Sequence, residues 1–301
     1  MEPTRPELRP LGVGEMVDAA IRLYRTNFLT LIKISAMILG PIGLIQIVAT
    51  IAVGPVDVLS LVVVDPDANP MEVFEPLIPI YTVLAVTGLF SFLGSVLVEG
   101  ASLTVLAHHY RGEDVDWTTS LRVGWGRFLP LIAATILVAL GSGIGLVFCL
   151  VPGIFLFTMW SVTPAALVTE RVGPVAAMGR SYQLVRGRFW PVLGAIVLAY
   201  LLYMIANQII GVVTGVSTIL GSMNGEQISF LPSVIGSSLV SIVAAPFLAA
   251  MVTVIYFDLR VRKEGYDLEL MARDLRKIEG VAALTSPDDE DPFGLGTPGS
   301  R

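Results

Sequence analysis

Charge is what this chain has least of. Only 15% of its 301 residues are Asp, Glu, Lys or Arg and 54% are hydrophobic, with a mean hydropathy of +0.77, whereas water-soluble domains carry about 25% charge. The hydrophilic stretches are short and none could bury a core of its own. A soluble domain is excluded, and the class is a polytopic membrane protein. There is one cysteine, Cys149, in an apolar run, which excludes an intrachain disulfide or a thiolate metal site. The two histidines, His108 and His109, are neighbours that cannot face the same way on a helix, so no metal site is expected. Nucleophile elbow, phosphate loop, HExxH motif and paired carboxylates are all missing, and "GSGIGL" lacks the strand-helix context of a dinucleotide fingerprint. No enzyme activity and no cofactor are expected. The N-terminal stretch lacks the apolar core and cleavage site of a signal peptide, so insertion is expected to rely on the spans themselves.

What is there is hydrocarbon-length helix. Crossing about 30 Å takes roughly 20 apolar residues, and such stretches occur near 28–53, 77–107, 128–150, 152–168, 190–218 and 231–257. The expected fold is all-α: a six-span helical bundle forming one integral membrane domain over 1–279. Between the third and fourth spans "FCLVPGIFLF" turns without a strongly polar residue, which fits either two full spans or a re-entrant hairpin. All 19 Lys and Arg residues fall on one side of a six-span chain. Basic residues favour the cytoplasmic side of short loops, so both termini are expected inside. The 54–76 loop, with five acids and no base, then faces out.

The basic segments resemble one another. "VDAAIRLYRTNFLTLI", "WTTSLRVGWGRFLPLI" and "MGRSYQLVRGRFWPVL" align on Phe28, Phe128 and Phe189. A stripe at helical spacing then runs through Val17, Ile21, Tyr24 and Phe28; Trp117, Leu121, Gly124 and Phe128; and Met178, Tyr182, Val185 and Phe189. Each segment enters an odd-numbered span. The unit is an amphipathic interfacial helix plus a transmembrane hairpin, used three times, with interfacial helices near 13–27, 116–127 and 174–189. A fourth amphipathic stretch is expected at 264–279 and a disordered acidic, Pro- and Gly-rich tail at 280–301. Pro174 suits a first helical turn, while Pro130 and Pro191 are expected to bend the chain into the bilayer. "GRSYQLVRGRFWPVLG" mixes bases and aromatics as nucleic-acid surfaces do, but in this setting its partners are lipids. Arg22, Arg25, Arg122, Arg127, Arg180, Arg186 and Arg188 are candidate contacts for anionic headgroups, and Trp190 is a candidate interface anchor.

Few polar groups lie within the spans. Glu99 sits roughly 14 Å deep at 1.5 Å per residue and is a functional candidate by position; a structural Glu, held by hydrogen bonds or by Lys33, is the plainer reading. Asn207 and Gln208 are mid-span, where such residues more often join helices than bind substrate. If Glu99, Lys33, Asn207 and Gln208 shared one water-accessible pocket, a transporter or lipid-handling protein would be favoured; if scattered, that reading would lose its basis. Gly141 with Gly145 and Gly211 with Gly215 have GxxxG spacing. Glu170 is expected to bridge to Arg180 or Arg188.

"RPLGVGEMVDAAIRLYRTNF", "PGIFLFTMWSVTPAALVTERVGPVAAMGRSYQLVRGRFWPVLG" and "YFDLRVRKEGYDLELMARDL" together resemble a bacterial family, the membrane domain of glycerophosphoryl diester phosphodiesterase with the YciC-type inner-membrane proteins. The similarity covers roughly 8–278. In such phosphodiesterases the chemistry belongs to a soluble barrel with no counterpart here, so no catalytic residue carries over. The resemblance implies a bacterial plasma-membrane location and a stand-alone accessory domain. The leading expectation is a non-enzymatic accessory, scaffold or envelope-homeostasis protein, with a protein partner or homo-oligomer possible. The alternative is the transporter or lipid-handling protein with its cavity near Glu99. A cytoplasmic reporter fused after residue 110 should be active and one after residue 65 inactive; the reverse pattern would overturn the orientation.

Overall fold

The computed structural model describes residues 11–53, 77–111, 117–223 and 231–265. Among these residues all regular structure is helical. The helices are α1 (Val13–Thr26), α2 (Phe28–Val53), α3 (Ile78–Tyr110), α4 (Trp117–Gly126), α5 (Phe128–Phe148), α6 (Leu150–Met159), α7 (Thr163–Glu170), α8 (Pro174–Val185), α9 (Phe189–Met223) and α10 (Leu231–Glu264). Six segments are long and apolar enough to cross a membrane: α2, α3, α5, α6 with α7, α9 and α10. The protein is an all-α polytopic bundle. The most apolar window is half buried in the segment Leu150–Glu170 and 44% buried in α10, but only 11% in α9. The fourth and sixth spans therefore form the centre, and the flanks of α2, α5 and α9 present Leu, Ile and Val outward, as lipid requires.

Three hairpins, α2–α3, α5–α6/α7 and α9–α10, are each preceded by an amphipathic helix. The junctions share one hydrogen bond. One residue, Asn27 or Arg127, separates the helices at the first two and three residues, Arg186 to Arg188, at the third, and the next helix restarts with Leu31 N donating to Asn27 O (3.0 Å), Leu131 N to Arg127 O (2.9 Å) and Val192 N to Arg188 O (3.1 Å). Leu31, Leu131 and Val192 are all fully buried, and so are Ile34, Ala134 and Ala195 one turn on. Moreover, each amphipathic helix packs mainly on the hairpin of the unit before it: α4 on α3 and α2, α8 on α7 and α5, and α1 on α10 and α9. The three units close into a ring.

Two local expectations need correction. Pro130 and Pro191 do not bend a continuous helix; they stand in the first turn of α5 and α9, where no amide hydrogen is needed, and the break precedes them. The buried stripe is centred one position earlier than expected. Val17, Gly124 and Val185 are buried as the stripe requires, and so are Met16, Ala20 and Leu23 on α1 and Ala177, Ser181 and Leu184 on α8, whereas Ile21, Phe28 and Tyr182 are exposed. Small residues at the equivalent positions Ala20, Ser120 and Ser181, all fully buried, let each helix approach its neighbour closely. The aromatic residues sit beside that contact.

Spans three and four are each 21 residues; the third is one helix, about 31 Å at 1.5 Å per residue, and the fourth is α6 and α7 joined by a short turn. They reverse at the single extended residue Cys149. That is feasible because Gly145 and Gly153 touch: a Cβ on Gly153 would lie 2.3 Å from Leu146 Cγ and 2.6 Å from Leu146 N. The acidic 54–76 loop, the tail 280–301 and all of the 264–279 stretch beyond Gly265 lie outside the described residues. Gly153→Val should lower the thermal midpoint of the detergent-purified protein, overpacking of this kind costing about 1–3 kcal/mol. Gly211→Val, with nothing within 4 Å of its added methyl carbon, should leave the midpoint unchanged.

Candidate functional site

The fourth span is not one helix. After α6 the chain turns through Trp160, Ser161 and Val162 before Pro164 opens α7. Proline cannot donate to the preceding turn, so it suits a restart there. Trp160 has room because Gly141 lies opposite; a Cβ there would come within 2.6 Å of the indole. Of the two GxxxG pairs, Gly141 with Gly145 thus forms the α5–α6 contact. A Cβ on Gly211 or Gly215 would meet nothing within 4 Å.

Beside this break lies a cavity of about 370 Å³, walled by α3, α5, the α6–α7 turn, α9 and α10. Its surface is mostly apolar, with Ser95, Glu99, Thr135, Ser142, Ser161, Thr163 and Tyr200 as polar members. Glu99 is 11 residues from the end of α3, about 16 Å along the helix. Among the described residues no protein group donates a hydrogen bond to its carboxylate and no Lys, Arg or His pairs with it. The hydroxyls of Thr135 and Thr163 are buried without a hydrogen-bond partner. An ionised carboxylate in hydrocarbon needs a counter-charge, and an unpaired buried hydroxyl costs about 1–3 kcal/mol. The cavity presents all three to whatever occupies it.

The other residues singled out with Glu99 are not brought to it. Lys33 is exposed, because Leu31 and Ile34 on the same turn of α2 take the buried side. Asn207 donates from Nδ2 to the Tyr203 carbonyl of its own helix at 3.0 Å, and Gln208 is exposed. Both stand on the part of α9 that few other helices cover. The quartet is scattered: neither described cavity is lined by Lys33, Asn207 or Gln208, so a transporter reading based on those four residues loses its basis, and any such reading has to rest on Glu99 with a different set of neighbours. What sequence reasoning missed is that Thr135, Ser142, Thr163 and Tyr200, each unremarkable alone, converge on Glu99. The only local signal was Pro164 within an apolar run.

The arginines divide into two groups. Arg22, Arg25, Arg122 and Arg186 are exposed at the basic end of the bundle, and Arg127 and Arg188 are half-buried at the helix junctions. Arg180 instead holds the bundle together. Its Nε donates to both oxygens of Glu170 (2.7 and 3.0 Å) and its Nη2 pairs with Glu264, which also receives Arg260 Nε at 2.9 Å. Burial alone would lower the Arg180 pKa, but the hydrogen bonds to Glu170 and Glu264 outweigh it and raise the value. Tyr256 also donates to Glu170 at 2.8 Å, and Lys263 donates to the carbonyls of Gln183 and Arg186 at the end of α8 (2.5 and 2.6 Å).

On the far side of α10, the buried Asp258 accepts Leu11 N (2.7 Å) and Arg262 Nε (2.9 Å), while Arg262 Nη2 donates to Leu11 O (2.7 Å). Tyr24 donates to the Val243 carbonyl at 2.7 Å; burial pushes its hydroxyl up to about 12, so it stays a donor at neutral pH. His108 Nδ1 lies 2.7 Å from the Thr104 carbonyl, which makes that nitrogen the donor.

No protein-family model, curated protein or solved structure matches the chain. Asp258→Ala should cost about 3–5 kcal/mol by stranding its partners and should expose the segment before α1 to limited proteolysis. Arg122→Gln, on the exposed surface, should change neither stability nor cleavage.

Proposed function

We propose that this multi-pass membrane protein acts without catalysis, by binding a small ligand in the Glu99 cavity, as a transporter or lipid-handling protein does. One observation carries the reading: a carboxylate deep in the spans, with no protein partner among the described residues, shares a 370 Å³ cavity with the unpartnered hydroxyls of Thr135 and Thr163. Small-molecule sites have this volume and this pattern of apolar walls with few polar groups. The adjoining break in a spanning helix is also where transporters place their sites.

An accessory or scaffold role, the expectation drawn from the scarcity of ionisable groups in the spans, gives such a cavity nothing to do. Residence in a plasma membrane with both termini cytoplasmic is part of the proposal and is supported by the one-sided distribution of Lys and Arg. Kinship with the phosphodiesterase membrane-domain group is proposed on the three segments that resemble it. Anionic lipid headgroups are the proposed partners of Arg22, Arg25, Arg122 and Arg186.

The test is mass spectrometry of what co-purifies with the protein in mild detergent. A small molecule or a lipid should be retained at near one equivalent. Glu99→Gln should weaken its retention, and Ala139→Phe, which fills the cavity, should abolish it; both variants should fail to complement a deletion strain. Retention unaffected by either substitution, or full complementation by Ala139→Phe, would return the protein to the accessory reading.

A further inference from the structure

We infer that the Glu99 cavity is entered from the end of the bundle opposite the arginines, through a second cavity whose apolar wall carries several polar side chains, and that its ligand is a small organic cation. The inference deepens the proposed binding function and rests on it. The second cavity, of about 320 Å³, is lined by Gln46, Ser91, Tyr203, Ser238 and Ser241, and it shares Ser95 and Ala245 with the first. On every helix common to both, its residues lie farther from the basic end: Ser91 beyond Glu99 on α3, Tyr203 beyond Tyr200 on α9, and Ser238 and Ser241 beyond Ala249 and Val252 on α10. The two cavities are therefore stacked along the bundle and meet at Ser95.

The other direction is closed. Between Glu99 and the basic end, Leu103, Leu106, Leu167, Val254 and Phe257 are at most 2% exposed, and Tyr110 stacks on Phe257 with centroids 4.5 Å apart.

The chemistry of the route follows from its hydroxyl groups and its charge. Ser95 donates to Phe92 O (2.8 Å), Ser142 to Val138 O (2.6 Å), Ser238 to Val234 O (2.9 Å) and Ser241 to Ser237 O (2.9 Å). Each hydroxyl proton is engaged by its own helix, which leaves oxygen lone pairs to face the space. Thr135, Thr163, Tyr200, Tyr203 and Gln46 can donate as well as accept, so the sign of the occupant is set by charge: Glu99 is the one charged group in the two linings, which hold no Lys, Arg or His, and this favours a cation and disfavours an anion. Phe157, Trp160 and Tyr200 line the inner cavity, and ammonium groups are attracted to aromatic rings. A resident metal ion is disfavoured, because the described residues contain no cluster of three His, Cys, Asp or Glu. The occupant that suits both walls is a primary ammonium on a short carbon skeleton.

Cysteine accessibility tests route and charge together. In a Cys149→Ser background, Ser95→Cys in the full-length protein is exposed to membrane-impermeant thiosulfonates, one carrying trimethylammonium and the other sulfonate, from each side of sealed membrane vesicles. Rates are normalised to a free thiol. Labelling should occur from the side opposite the N-terminus, with the cationic reagent favoured on the order of tenfold. Glu99→Gln should reduce that preference toward unity, and ethylammonium should slow the reaction. Labelling from the N-terminal side, equal rates for the two reagents, or no reaction at either Ser95→Cys or its companion Ser241→Cys would overturn the inference. If a co-purifying molecule still depends on Glu99 in that event, the route and ligand class fail while the binding function stands; loss of that dependence would remove the function itself.

Discussion

The carboxylate of Glu170 fixes the geometry on which the interior depends. It ends the broken fourth span and accepts from Arg180 on α8 and Tyr256 on α10, so one group joins three elements. Arg180 continues the chain to Glu264 and Arg260. The individual ion pairs are about a quarter exposed and each would contribute little alone; as a connected set they hold α7 in place. Because α7 begins at Thr163 on the cavity wall, a network at the basic end determines the shape of a site in the middle of the bundle.

A second constraint comes from lipid. Helices in hydrocarbon gain little by hiding Leu from one another, so they associate through small residues and close backbone contact. The ring obeys this at each seam, with Ala20, Ser120 and Ser181 where an amphipathic helix meets the preceding hairpin, and Gly145 against Gly153 where two spans reverse on one residue. The closed ring leaves its centre lined by α3, α5, α7, α9 and α10, where Glu99 lies away from lipid.

The span count, the threefold use of a basic amphipathic helix and the Glu170–Arg180 bridge were legible in the sequence, since each depends on periodicity or on near neighbours in the chain. The stripe was legible in part: Val17, Gly124 and Val185 are buried, but the fully buried line runs one position earlier on the helix, through Ala20, Ser120 and Ser181, because close helix approach in a membrane favours small residues at the contact. Asp258 went unnoticed because it lies one residue past the apolar run of the sixth span, although its i,i+4 relation to Arg262 was a usable signal. A cavity near Glu99 was the alternative expectation, but its lining could not be read. Threonine and serine are ordinary in apolar helices, and only the ring brings Thr135, Ser142 and Thr163 from separate segments to Glu99. Lys33 and Gln208 are rare polar residues of the spans, yet they occupy faces that the ring leaves outside, and Asn207 is satisfied by its own helix.

The decisive observation is an experimental structure in a lipid nanodisc at a resolution that shows small molecules. Non-protein density between the Glu99 carboxylate and the Thr135 and Thr163 hydroxyls, with the Trp160–Val162 break intact, is the predicted result. A closed interior in which Glu99 is hydrogen-bonded to a protein side chain, with no space beside the break, would contradict the reading of this chain as a ligand-binding membrane protein.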